Sequence, residues 1–417
     1  MSTKNAITKE LSDSIRHVLD RSAKVSFKCM VRLEVKQDKT ENRVLAFSSC
    51  RFFILTAKVP TKIEHSFHYL EIQTVESKKP NQLCLTIDNK VYTFYSVDPE
   101  SSDVDHMIIQ LGTAVKSIFP QVPLELIIRR VEAVPAVRLQ PMLEFNQSAE
   151  ASDPGPCGNF SAQYICMCDF HGLPFREDVA WDVDTIYLSH DTKELSLLDF
   201  DHLEGRDLVP IISALCYNAW FTKFRASNVK LASEALEQVL QMMKRSVSLE
   251  ELYLDNTGIK WEFAHKLSMT LIANPNSPLN SLDLSNNLIE DKGVGQLCGP
   301  LGKLHKGLSH LNLAHTGITA KGVNTLAHAL SLNRSMPSNL TYLNLSDNVF
   351  KDDINVFGAL LRGCTQKLEV LNLSRNVYSS KKSKEVLVPP SFKTFFSSTV
   401  ALRHLNMANV RMPMEAL

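Results

Sequence analysis

Three features predict the fold class: an α/β leucine-rich-repeat solenoid, a horseshoe, preceded by a small β-barrel with a C-terminal helix. Leucine-patterned segments recur 28 to 34 residues apart through the second half of the chain. Short alternating stretches followed by one helical stretch fill the first part. An acidic interval separates the two. A length of 417 residues also exceeds what one compact core accommodates.

The chain opens with MSTKNAITKELSDSIRHVLD, a polar amphipathic helix start without the apolar stretch of a secretory leader. KVSFKCMVRLEVK then alternates throughout. Val25, Phe27, Cys29, Val31, Leu33 and Val35 fall on one side, and Lys24, Lys28, Arg32 and Lys36 on the other. A period of two predicts a half-buried antiparallel strand. RVLAF, RFFILTA, FHYLEI, QLCLTI and VYTFY are further strand candidates, the last two joined by an Asp88-Asn89 turn. DPESSDVDHMIIQLGTAVKSIF changes the period, with apolar positions at Val104, Ile108, Leu111, Val115 and Ile118, as a helix requires. Short strands closed by one helix are the layout of a pleckstrin-homology-like barrel, expected over 1–122 together with the N-terminal helix.

Residues 1–60 carry twelve Lys/Arg against six Asp/Glu, whereas 144–207 carry three against fourteen. A solvated strand face accounts for the row Lys24, Lys28, Arg32 and Lys36. The local positive excess shifts the reading toward a lipid-binding surface for anionic membrane lipids. Nucleic acid is not expected, because no aromatic platform interleaves the basic residues.

RRVEAVPAVRLQPMLEFNQSAEASDPGPCG lacks steady periodicity and reads as a linker over 123–156. The following GPCGNFSAQYICMCDFHG brings Cys157, Cys166, Cys168 and His171 close in sequence. Their spacing is irregular for zinc, and no C-x-x-C is present for redox chemistry. Phe160, Tyr164, Ile165 and Cys168 are read as one helical face, and Trp181, Val183, Ile186 and Leu188 of DVAWDVDTIYL as strands against it. The segment 157–215 is therefore expected to cap the solenoid, with buried cysteines as small apolar residues and no metal or cofactor.

The repeats begin at Phe221, Leu249, Leu279, Leu308, Leu340, Leu368 and Leu402, in steps of 28, 30, 29, 32, 28 and 34 residues. Each fits L-x-x-L-x-L-x-x-[N/T/V]-x-L within 216–417. The LxL leucines point inward from a short strand, the ninth residue can satisfy backbone groups at the turn, and the intervening stretches read as convex-side helices. The expected concave, protein-binding face includes Glu250, Tyr253, Asp255, Asp283, His310, Asn312, Tyr342, Asn344, Asp347 and Arg375. It has no catalytic geometry. GVGQLCG falls in a helix after a repeat turn, and no Walker lysine, G-x-S-x-G or H-E-x-x-H occurs, so no enzyme is expected. Nine scattered cysteines read as reduced thiols.

Nearly the whole chain resembles the CARMIL family through LEVKQDKTENRVLAFSSCRFFILTAKVPTKIEHSFHYLEI, GPCGNF, WDVDTIYL, LEELYLDN and VPPSFKTFFSS. The resemblance implies a pleckstrin-homology domain, a linker, a cap and a leucine-rich-repeat solenoid. It implies a regulator of actin capping protein in the cytoplasm, peripheral to the plasma membrane at leading edges, acting in actin assembly and cell migration. In that family a dimerisation domain and a tail that binds capping protein follow the solenoid. Here the sequence ends at Leu417 within a repeat, so the expectation is a chain without that tail, which is monomeric and does not uncap filaments by itself. The alternative reading is a cytosolic leucine-rich-repeat signalling sensor or binding module unrelated to actin.

Overall fold

The computed structural model describes residues 7–19, 24–36, 39–147, 154–350, 356–376 and 390–410. They divide into two compact units, Met1–Ala180 and Trp181–Leu417.

In the first unit, β1 (Phe27–Lys36), β2 (Lys39–Phe47), β3 (Arg51–Thr56), β4 (Ile63–His68), β5 (Ile72–Ser77), β6 (Gln82–Ile87), β7 (Lys90–Ser96) and β8 (Arg130–Ala133) form one sheet. Its order is β4-β3-β2-β1-β7-β6-β5-β8, antiparallel except for the parallel β5·β8 pair. Cys29, Val31 and Leu33 are buried, as their alternation predicts. Asp88 and Asn89 join β6 to β7 with φ of 49° and 62°, both left-handed, which Asp and Asn tolerate better than most residues. FHYLEI is not one strand: β4 ends at His68, a 3₁₀ turn spans Tyr69–Glu71, and β5 begins at Ile72.

Helix α1 (Lys9–Val18) is capped by Thr8, whose hydroxyl accepts from Leu11 N–H at 3.2 Å. Its Leu11 and Ile15, with Leu19, pack on Val44, Ala46, Phe53 and Leu55. The sheet is therefore covered on both sides here, and Val44 to Phe47 are buried in an unbroken run. Helix α2 (Asp103–Ile118) buries all five apolar positions read from its period. The segment read as a linker holds regular elements among its described residues. It contributes β8 and α3 (Gln140–Gln147), whose Met142 lies against Gly112 of α2; a Cβ there would come within 2.2 Å of Met142 Sδ. Irregular periodicity concealed one edge strand and one short helix, each too brief to show a pattern.

Helix α4 (Phe160–His171) buries Phe160, Tyr164 and Cys168, while Ile165 is 44% exposed. The stretch expected to supply strands is instead helical: α5 (Glu177–Trp181) runs into a π-helical turn, Asp182–Tyr187. Val179, Val183 and Tyr187 bury at helical spacing and leave Trp181 59% exposed. Trp181 and Val183 alternate as a strand would, but Val179 and Val183, four apart, share the buried helical face.

The second unit holds β9 (Glu194–Ser196), β10 (Lys223–Arg225), β11 (Glu251–Tyr253), β12 (Ser281–Asp283), β13 (His310–Asn312), β14 (Tyr342–Asn344), β15 (Val370–Asn372) and β16 (His404–Asn406). All pair in parallel in chain order. The sheet thus begins one repeat before Phe221, at KELSLL, where Leu195 and Leu197 take the inward positions. Helices α6 (Leu208–Ala214), α7 (Ser233–Arg245), α8 (Trp261–Ala273), α9 (Glu290–Leu301) and α10 (Ala320–Leu332) alternate with the strands.

Two side-chain positions build each turn. The eighth residue of all seven repeats (Asn228, Asn256, Asn286, His315, Asp347, Arg375 and Asn409) has φ between 50° and 62°. The ninth, in the five repeats where it is Asn or Thr, supplies the buried polar ladder. Asn287 Nδ2 donates to the carbonyls of Leu254, Leu284 and Ser285, while its Oδ1 accepts from the Thr257 and Gly258 amides. Asn348 and Asn376 repeat this reach across two turns. Thr257 and Thr316, where they occupy the ninth place, donate to the carbonyls of their own turn, at Leu254 and Leu313, and Thr316 also reaches Asn348 Oδ1 of the next turn at 3.4 Å.

Candidate functional site

The basic row on β1 is not one open face. Lys24 and Lys36 are exposed, but Lys28 is half-buried and donates from Nζ to Ser12 Oγ of α1 at 2.5 Å. Arg32 donates from Nη2 to the Ser96 carbonyl at 3.2 Å and buries its Nε. Alternation places these residues on the outer face of the strand. It does not reveal that α1 packs on that same face.

On the solenoid strands, the outward-pointing residues form a graded surface. Its first three strands carry charge in pairs. Arg225 donates from Nε and Nη2 to both oxygens of Glu194, at 2.7 and 3.1 Å, and its guanidinium lies 4.0 Å from the centre of the Tyr253 ring. Lys223 Nζ stands 2.8 Å from Glu251 Oε1, and the Tyr253 hydroxyl donates to the same carboxylate. Burial works upward on Glu251, but the hydrogen bonds from Lys223 and Tyr253 outweigh it and hold the carboxyl below its ordinary range. Glu194, Lys223 and Arg225 were missed in the sequence. The signal for the last two was present at the third and fifth positions of FTKFRASNVKL; β9 matched no repeat pattern.

The middle strands are polar without net pairing of charge. Asp283 accepts from Ser285 N–H and Oγ–H and from Asn312 Nδ2, while burial pushes its carboxyl above the usual range. Asp255 accepts from Ser227 Oγ at 2.5 Å. The rings of His310 and Tyr342 stack at 5.6 Å. Asn344 is 9% exposed and accepts from Ser346 N–H, so it serves the strand end. Glu250 precedes β11 and is exposed. Asp347 and Arg375 occupy left-handed turn positions after their strands, 3.5 Å apart, with His315 Nδ1 at 3.1 Å from Asp347. Seven of the ten residues expected on this face thus remain candidates for it, on or beside the strands; Asn344 is buried, and Asp347 and Arg375 belong to the turn edge.

Of the sequence-local quartet, Cys157, Cys166 and Cys168 are buried, and Cys166 joins a cluster of potential ligands among the described residues. Its partners are Cys50 and His68, from distant segments of the same unit. Burial, and then the neighbouring His68, lower the His171 pKa from its ordinary value.

A sequence model of the Carmil pleckstrin homology domain matches residues 25–120, and one of the CARMIL family leucine-rich-repeat domain matches 157–357. The chain belongs to the CARMIL family. This CARMIL chain is 38% identical over 440 residues to rat "Capping protein, Arp2/3 and myosin-I linker protein 3", covering 99% of the chain and 32% of that relative. The mouse linker protein 2 is 32% identical over 382 residues, covering 90% of the chain and 29% of the relative. "Protein CARMIL" of Dictyostelium discoideum is 25% identical over 413 residues, covering 92% and 37%. The chain therefore spans about a third of the length of the curated relatives it matches. Among the described residues, no helix is long and apolar enough to cross a membrane.

Proposed function

We propose that this chain is the membrane-contacting and protein-binding portion of a non-enzymatic CARMIL scaffold that regulates actin filament capping, actin organisation and cell migration. One observation carries the reading: two domain models of one family match in tandem, and similarity to linker protein 3 runs along 99% of the chain. The names of the relatives tie them to capping protein, Arp2/3 and myosin-I, and these are the partners proposed for the scaffold. The site is cytoplasmic and peripheral to the plasma membrane at the leading edge.

In this reading, residues 1–122 approach anionic lipids and 216–417 carry the protein-binding strand face. The burial of Lys28 and Arg32 alters the lipid proposal in detail. Lys24 and Lys36, both exposed, carry most of the attraction, at about 1 kcal/mol each near an anionic surface. Sedimentation of the chain with vesicles of phosphatidylserine and phosphatidylcholine tests it. Lys24→Gln with Lys36→Gln should weaken binding, and added salt should weaken it in the unaltered chain. Binding untouched by both changes removes lipid contact through this row. The scaffold role itself is tested by pull-down of capping protein with the full-length gene product and by rescue of leading-edge actin in cells lacking it. Failure of both would leave a repeat protein outside actin regulation.

A further inference from the structure

Cys50, His68 and Cys166 come from the β2–β3 turn, the end of β4 and the middle of α4. Their ligand atoms lie within 4.8 Å of one another, and the residues are 5%, 0% and 1% exposed. No part of the scaffold reading uses them.

Three such donors first suggest a metal. The hydrogen bonds of the ring argue otherwise. His68 Nδ1 accepts the Leu70 amide N–H at 3.1 Å, so its lone pair is spent there and the proton of the neutral ring resides on Nε2. Nε2 faces acceptors: the Cys166 carbonyl at 3.2 Å and Cys166 Sγ at 3.5 Å. A metal-bound histidine coordinates with one nitrogen and donates from the other. Here the second nitrogen accepts. Asp169 Oδ2 lies 3.7 Å from Nε2 but is held by Arg51 Nε at 2.5 Å. His68 is thus set as a donor toward sulfur. The two thiols are also unequal. The adjacent Cys166, reinforced by His68, holds the Cys50 thiol below its ordinary range, while the adjacent Cys50, with burial, pushes Cys166 up.

We propose that Cys50 and Cys166 are a peroxide-responsive dithiol that closes into a disulfide between the β2–β3 turn and α4, with His68 as its positioning residue. The Cys50 thiolate attacks one oxygen of hydrogen peroxide. An S–O bond forms, the O–O bond breaks, and the departing hydroxide takes up the proton released by Cys50. Cys166 then attacks the sulfur of the Cys50 sulfenic acid. The S–S bond forms, the S–O bond breaks, and the second hydroxide leaves as water with the Cys166 proton. Two thiols and one peroxide become one disulfide and two waters, and the two electrons lost by sulfur reduce the peroxide. The product links α4 covalently to the sheet and is reversed by a dithiol reductant.

The full chain, reduced and then exposed to equimolar hydrogen peroxide, is quenched by alkylation in denaturant and mapped by mass spectrometry. A Cys50–Cys166 linked peptide is expected before any other of the nine cysteines is oxidised. Cys166→Ser should stop the sequence at a Cys50 sulfenic acid that dimedone captures. His68→Phe should slow closure about tenfold, the factor that one charge-assisted hydrogen bond supplies. His68→Gln, which retains a donor, should recover part of the rate. Recovery of Cys50 and Cys166 as alkylated thiols while other cysteines oxidise would overturn the proposal. So would stoichiometric zinc in the purified chain that is lost in Cys50→Ser, because the trio would then be a metal site.

Discussion

Replacing Asn287 by alanine should be among the most damaging single changes in the solenoid. The side chain is 4% exposed and reaches two successive turns. Its loss leaves the buried Thr257 amide without the Oδ1 acceptor and the Leu284 carbonyl without its Nδ2 donor. Each orphaned buried group costs about 1–3 kcal/mol. The Leu254 carbonyl keeps the Thr257 hydroxyl, and Gly258 is exposed enough for water to replace the bond, so these two add little. The two orphaned groups together cost about 4 kcal/mol, within a range of roughly 2–6. Asn286→Ala, one residue earlier, is the control. Asn286 is exposed with φ of 56°, and alanine there costs only the left-handed strain, about 1–2 kcal/mol. Urea unfolding followed by circular dichroism measures both. Repeat arrays can unfold in steps, so midpoint and slope are compared together. An Asn287→Ala chain within about 0.5 kcal/mol of the unaltered protein, or an Asn286→Ala chain equally destabilised, refutes the ladder argument.

Substitutions at four other positions have equally definite outcomes. Gly295 in α9 has nothing within 4 Å of a built Cβ, so Gly295→Ala should stabilise by about 0.5–1 kcal/mol. Gly322→Ala should instead destabilise by about 1–3 kcal/mol despite the same propensity gain, because the new methyl would lie 2.3 Å from Asp291 Oδ1, which accepts from Thr319 N–H; thermal unfolding of the pair should show opposite signs. In the β6–β7 turn, Asn89→Gly should be neutral or stabilising and Asn89→Val should cost about 1–2 kcal/mol, read by the same assay. Glu251→Gln removes a depressed carboxyl whose contribution is present above its unfolded pKa and lost as pH falls through the folded one. The difference from the unaltered chain, about 0.5 kcal/mol at neutral pH after solvent screening, should therefore vanish in acid, and a difference that persists there contradicts the pairing with Lys223.

Periodicity determined much of this protein without tertiary information. Leucines two apart at 28- to 34-residue steps can bury only by stacking, so the parallel sheet and its inward residues from Leu252 to Leu373 followed from spacing alone. The Asp88-Asn89 turn and the helix from Asp103 to Ile118 were legible for the same reason: each signal is local and repeats within one element. What the tertiary structure decided was which segments meet across long separations. Alternation could mark Lys28 and Arg32 as outward-facing but could not say that α1 lies over that side. Spacing around Cys166 argued against a metal within its own segment. Nothing local could bring Cys50 and His68, 116 and 98 residues away, against it. A strand or helix carries its period in its own residues, whereas a cluster assembled from three elements exists only after the strands have paired and α4 has packed beside them.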